Sequence, residues 1–87
     1  IKEASMLYKA LKISQNMLLA QSDIKEVKAQ VQELFSQSER LELEYFEVID
    51  TSSFKPLLKV KDSRKTAMCI AAEIGSVRLI DNLLLNS

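Results

Sequence analysis

The stretch TAMCIAAEIGSVRLIDN, residues 66–82, decides how the chain is read. A run of small and apolar side chains reaches the only glycine, Gly75, then continues as Val77, Arg78, Leu79, Ile80, Asp81 and Asn82. Gly-Ser between two apolar runs is a hairpin signal, because glycine supplies the positive φ of a tight primed turn. With Ile74 facing Val77 across that turn, Glu73 falls opposite Arg78, Ala72 opposite Leu79 and Ala71 opposite Ile80. An opposite-charge pair across two strands supports that register by ~0.2–1 kcal/mol when exposed. Local propensity also admits a helix over residues 65–74, since Ala, Met, Glu and Lys are good helix formers. From these residues alone both readings stand.

Upstream, residues 41–50, LELEYFEVID, begin in strict alternation, with Leu41, Leu43 and Tyr45 set against Glu42 and Glu44. That period of two predicts a strand with one solvated face. From Phe46 to Ile49 both faces are mostly apolar, so that end is expected to lie deeper. Aspartate, threonine and serine at 50–53 close the strand as a turn. Phe54 and the only proline, Pro56, then lead an irregular segment to about Lys65. That connector carries Lys55, Lys59, Lys61, Arg64 and Lys65 against Asp62, while residues 39–50 carry five acids and one base. The basic segment is either a phosphate contact or one of two solvated, mutually compensating surfaces.

Residues 1–37 read as two helices. In the first, over 1–20, Ile1, Ala4, Leu7, Tyr8, Leu11 and Leu18 form one stripe, and Met6, Ala10, Ile13 and Met17 form a second, well round from it. Such a helix has more apolar surface than one sheet contact needs. The second stripe is covered either by the following helix or by another domain. Asp23 with Glu26 three residues on resembles a capping box. The helix it starts, over 24–37, has a single narrow stripe of Ile24, Val27, Val31, Leu34 and Phe35, as a surface helix should.

Eighty-seven residues suit one small domain. Apolar content of 47% excludes disorder, and twelve basic against twelve acidic residues give no electrostatic case for nucleic acid or an anionic membrane. No apolar run could span a bilayer, and no secretory signal is visible. The single cysteine, Cys69, cannot form an internal disulfide and fits a reducing cytosol. A chain beginning at Ile1 rather than methionine is expected to be a piece of a longer protein. Without histidine, the commonest general base and metal ligand are missing. One glycine excludes a Gly-rich phosphate loop, Glu42 and Glu44 read as a solvated edge, and Cys69 reads as a buried small residue rather than a nucleophile. No catalytic, cofactor-binding or metal-ligating residue is therefore expected in this chain.

Tyr45 and Asp50, followed by the alanine-rich run, Gly75 and Arg78-Leu79-Ile80-Asp81-Asn82, resemble the C-terminal domain of the bacterial pantothenate synthetase (pantoate–β-alanine ligase) family. The two-helix lead-in fits in length and order, so the resemblance covers essentially the whole chain. It implies strands on both sides of Gly75. The expected fold is α+β: two helices packed on a three-stranded antiparallel sheet with strands at about 41–50, 66–74 and 77–84. It further implies a two-domain cytoplasmic enzyme, a homodimer through its other domain. Such an enzyme joins pantoate to β-alanine with ATP and Mg²⁺ through a pantoyl-adenylate. The family's nucleotide motifs, His-x-Gly-His in an N-terminal Rossmann-like domain and Ser-Ser-Arg-Asn at the hinge, have no counterpart in these residues. Residues 1–87 would then be the lid, with the catalytic domain as its partner. The second stripe of helix one would face that domain, and Arg78, Asp81 and Asn82 would hold the hairpin. The alternative is a stand-alone interaction module that uses the apolar stripes of helix one.

Overall fold

A computed structural model describes residues 2–87; Ile1, and with it the first position of the expected stripe, lies outside them. Two helices, α1 (Lys2–Leu19) and α2 (Ile24–Ser36), precede three strands, β1 (Leu41–Asp50), β2 (Thr66–Ile74) and β3 (Val77–Leu84). The sheet has the order β1-β2-β3 and both pairings are antiparallel. The α+β reading and the three strand ranges hold.

The hairpin register is the one the sequence implies: Ile74 pairs with Val77, Glu73 with Arg78, Ala72 with Leu79 and Ala71 with Ile80. Gly75 has φ +60 and is the turn's only positive-φ residue. The carbonyl of Leu18 accepts from the Gln21 amide and that of Met17 from the Ser22 amide, closing α1 in a Schellman pattern with Gln21 left-handed at φ 68. Asp23 occupies the cap position of α2 in extended conformation, but its side chain makes no capping bond. The capping box is therefore present in spacing and not in bonding.

One face of the sheet carries the helices, α1 over β2 and β3 and α2 over β1. The core between them joins Leu7, Leu11 and Leu18 of α1 and Val27, Val31 and Phe35 of α2 to Phe46, Val48, Met68 and Ile70. The buried face of α1 runs between the two expected stripes rather than along either. Ser14, fully buried, lies on it and donates its hydroxyl to the Ala10 carbonyl one turn back, which removes the cost of burying a serine. Of the second stripe, Ala10 is fully buried and Met6 and Met17 pack on the core, while Ile13 is half-buried. The outlying apolar side chains of α1 are instead Tyr8 and Leu19, both 54% exposed.

The alternation in β1 is broken by a bulge between Leu43 and Tyr45: Leu43 pairs with Ala72 and Tyr45 with Ala71, leaving Glu44 as the extra residue. The bulge puts Phe46 and Val48, not Tyr45, on the core side. Beyond β1 the connector doubles back along its outer edge. Asp50 donates its amide to the Lys55 carbonyl, Leu57 donates to Val48, and Pro56 bridges Ile49. Proline on an outer edge blocks further strand addition there.

Candidate functional site

The positions singled out in the sequence fall on the sheet and at its margins, and they do not converge on a catalytic centre. Glu44 accepts a 2.7 Å hydrogen bond from Arg78 Nε, and Glu47 accepts one of 2.8 Å from Lys28 Nζ on α2. Arg78, expected opposite Glu73, does sit there by backbone register, but its guanidinium reaches past β2 to Glu44 on β1. That carboxylate raises the arginine further above its ordinary value. Asp50 closes β1 by accepting the amides of Ser52 and Ser53. Asp81 accepts the Asn82 amide at 2.8 Å.

The basic connector and the acidic strand compensate through space at one point, where the amides of Ser53 and Ser52 and then the charge of Lys65 hold the Asp50 carboxyl below its ordinary value. Among the described residues Arg64 pairs locally with Asp62, and no ion pair joins residues 55–65 to the acids of β1. The connector exposes Phe54, at φ 61, and Leu58, 98% exposed. Among the described residues no group of three His, Cys, Asp or Glu side chains is placed to hold a metal ion. No helix of the described chain is long and apolar enough to cross a membrane.

What the fold does build is a surface. On the sheet face away from the helices, β2 presents Ala67, Cys69 and Ala71 in line. The register sets Tyr45 and Ile80 on either side of Ala71, and Ile49 and Leu84 on either side of Ala67. Ala71 is fully buried and Ala67 nearly so, while Tyr45, Ile80 and Leu84 are 37%, 58% and 54% exposed. Small residues along the middle strand and large ones on both neighbours make two apolar patches along β2, separated at Cys69 by Glu47 on β1 and Asn82 on β3. Cys69 lies half-buried between them, where burial pushes the thiol up and away from the reactive thiolate. This corrects the expectation of a core cysteine, though not of an inert one. Sequence reading missed the patches because the bulge at Glu44 shifts Tyr45 out of the face that alternation assigns it. The signal available was the alanine run itself, too short-chained to need a second core.

A helical layer on one side of a three-stranded antiparallel sheet defines a two-layer α+β module. The family model described as Pantoate-beta-alanine ligase matches residues 1–84, and the chain belongs to that family. It is 32% identical over 85 residues to pantothenate synthetase of Thermotoga petrophila, covering 97% of this chain and 30% of that protein. To the bifunctional pantoate ligase/cytidylate kinase of Trichodesmium erythraeum it is 38% identical over 90 residues, covering 99% of this chain and 17% of that protein. The crystal structure of pantothenate synthetase from Thermus thermophilus has the same fold, with a TM-score of 0.84 at 21% identity over 97% of this chain and 30% of that one. The chain thus spans at most about a third of the curated relatives it matches.

Proposed function

We propose that residues 1–87 are the C-terminal lid domain of a cytoplasmic bacterial pantoate–β-alanine ligase. The family match across residues 1–84, at 30% of the length of a pantothenate synthetase relative, carries this reading. In the reaction, the pantoate carboxylate displaces pyrophosphate from ATP, and the amine of β-alanine then displaces AMP from the acyl-adenylate to give pantothenate. The adenylate is an activated acyl group that water would hydrolyse, so a lid that closes over it protects the product-forming step. Glu44, Glu47 and Asp50 are engaged by Arg78, Lys28 and backbone amides, and ATP and Mg²⁺ are assigned to the remainder of the enzyme, as is the homodimer contact. No chemical step is assigned to a residue of this chain.

The rival reading is a free-standing module that binds through the stripes of helix one; Ala10 in the core and Met6 and Met17 packed against it count against the second stripe, while Tyr8 of the first is exposed. The test is pantothenate formation from pantoate, β-alanine and ATP. A full-length enzyme containing these residues is expected to turn over, and residues 1–87 alone are expected to show neither turnover nor ATP binding by calorimetry. Micromolar ATP affinity in the isolated chain, or a full-length enzyme whose rate is unchanged when residues 1–87 are removed, would overturn the proposal.

A further inference from the structure

We infer that Asp81 holds the outer edge of β3 closed to a second copy of this chain, and that two copies would pair along this edge without it. The inference stands apart from the proposed function, because it concerns the sheet and not the reaction. A three-stranded sheet has two outer edges, and an uncovered edge offers its unpaired amides and carbonyls to any other strand. On β1 that edge is guarded. The connector bonds to Val48 and Asp50, Pro56 bridges Ile49, the bulge interrupts the ladder at Glu44, and the Ser38 hydroxyl accepts the Leu41 amide. On β3 no such device is built. Residues 77–84 pair with β2 without a break and contain neither proline nor lysine. The guanidinium of Arg78 is drawn back across the sheet to Glu44, away from the edge.

The hydrogen bonds fix which groups point outward. Leu85 donates its amide to the Thr66 carbonyl. Ladder bonds of an antiparallel pair fall on every second residue, so Val77, Leu79, Asp81 and Leu83 bond to β2. The backbone groups of Arg78, Ile80, Asn82 and Leu84 therefore point away from it, and all four residues are exposed. Asp81 acts on this edge in two ways. Its carboxylate accepts one of the outward amides, that of Asn82, at 2.8 Å. Its charge also stands on the helix-side face, opposite the fully buried Ile70 and between Leu79 and Leu83, which pack on the core. A charge turned inward on an edge strand is tolerated while that side stays open to water and is costly once another strand covers it.

The strand this edge fits is its own copy. Outward groups must meet outward groups, so a twofold antiparallel pair of β3 strands brings Arg78, Ile80, Asn82 and Leu84 of each copy together. In one register Ile80 meets Ile80, Arg78 meets Asn82 and Val77 meets Leu83, a seam with nothing repulsive in it. The same register sets each Asp81 against Leu79 of the other copy, where the two cores would run together. Shifting one copy by two residues sets Asp81 against Asp81, and like charges directly opposite are destabilising. One carboxylate bars both registers.

Sedimentation equilibrium of the 87-residue chain and its variants tests this. The unmodified chain is expected to be a monomer. Asp81→Asn removes the charge and keeps an oxygen for the Asn82 amide, whereas Asp81→Val removes both and adds a strand former. Both are expected to dimerise, Asp81→Asn with a dissociation constant at least about tenfold below that of the unmodified chain and Asp81→Val lower again. In the dimer the Ile80 amide is expected to exchange with deuterium at least about tenfold more slowly. Adding Asn82→Pro to Asp81→Val removes an outward amide and no bond to β2. That double variant is expected to return to a monomer with an unchanged circular dichroism spectrum. If Asp81→Val does not fold, the near-isosteric Asp81→Asn decides alone. Folded variants that stay monomeric overturn the inference, as does an unmodified chain that already pairs along this edge. A dimer that Asn82→Pro leaves intact, or in which the Ile80 amide stays fast, also overturns it, because another surface would then join the copies.

Discussion

Arg78 on β3 and Glu44 on β1 are joined by a 2.7 Å hydrogen bond, although an entire strand, β2, separates their backbones. The contact is possible because Glu44 is the bulged residue, freed from ladder pairing between Leu43 and Tyr45. A bulge bends its strand and re-aims the side chain it releases. Here that side chain takes the arginine which cross-strand register would otherwise leave to Glu73.

The bulge predicts an asymmetry between two deletions. Removing Glu44 alone gives a regular ladder in which Leu43 still pairs with Ala72 and Tyr45 with Ala71, so Phe46 and Val48 stay in the core. That variant is expected to fold and melt cooperatively, losing only the Arg78 ion pair, a loss that added salt hides. Removing Glu44 and Tyr45 together reverses the parity of everything after Leu43. Phe46 and Val48 then face outward, each forfeiting about 1.5–3 kcal/mol of burial, and Glu47 faces the core. No cooperative melting transition is expected, and a calorimetric transition in the double deletion matching that of the single one would refute the bulge's role.

The same bulge marks where the sequence stops being legible. The first strand and the narrow stripe of α2 followed from period, because each is set by neighbours in sequence, whereas turn chemistry gave the hairpin register only once the family resemblance had chosen strands over a helix for residues 65–74. Leu41 and Leu43 were placed correctly by alternation; Tyr45 was not, since one extra residue flips parity and leaves no mark in composition. On α1 the apolar positions suggested two stripes, yet the buried face runs between them through Ser14 and Gln15. Polar residues on a core face are invisible to hydrophobic periodicity unless their bonding partners are known. Ser14 finds its partner one turn away, and Gln15 finds its partner seventy residues away. The outward apolar patches were half legible: the alanine run showed small side chains, but only the pairing with Tyr45 and Ile80 gave them walls.

Both ends of the basic connector are tied by aspartates, which makes its order sensitive to acid. Asp50 accepts the amides of Ser53 and Ser52, and Asp62 accepts the Arg64 amide and guanidinium, so both carboxyls sit below their usual 3.8. A carboxyl whose pKa is lower when folded adds stability above its unfolded value and loses it as pH falls through the folded one. Urea midpoints are therefore expected to be flat from about pH 7 to about pH 5 and to decline below about pH 4 as these groups protonate. In Asp50→Ala/Asp62→Ala the midpoint is expected to be lower at neutral pH and its acid decline shallower. An acid limb identical to that of the unmodified chain would show that other carboxylates govern it.

The final turn of the chain is held by Gln15, which is 3% exposed. Its amide nitrogen donates to the Leu85 carbonyl at 3.1 Å, and its oxygen accepts from Lys12 at 2.8 Å. Leu85 itself is almost fully buried and belongs to the core, so the bond fixes the point where the chain leaves β3 and runs beneath α1. Gln15→Met keeps the volume and removes the donor, leaving a buried carbonyl unpaired at a cost of about 1–3 kcal/mol. For a domain of this size that corresponds to a fall in Tm of roughly 4–8 °C per kcal/mol. Gln15→Glu is expected to be worse than Gln15→Met at neutral pH, because a carboxylate has no proton to give and faces the Leu85 oxygen as a second acceptor. Acidification toward about pH 4 should narrow that gap, since a protonated glutamate can donate again. Calorimetric melts of the three forms at two pH values test the order; a Gln15→Glu variant as stable as Gln15→Met at neutral pH would show that the Leu85 carbonyl does not depend on this donor.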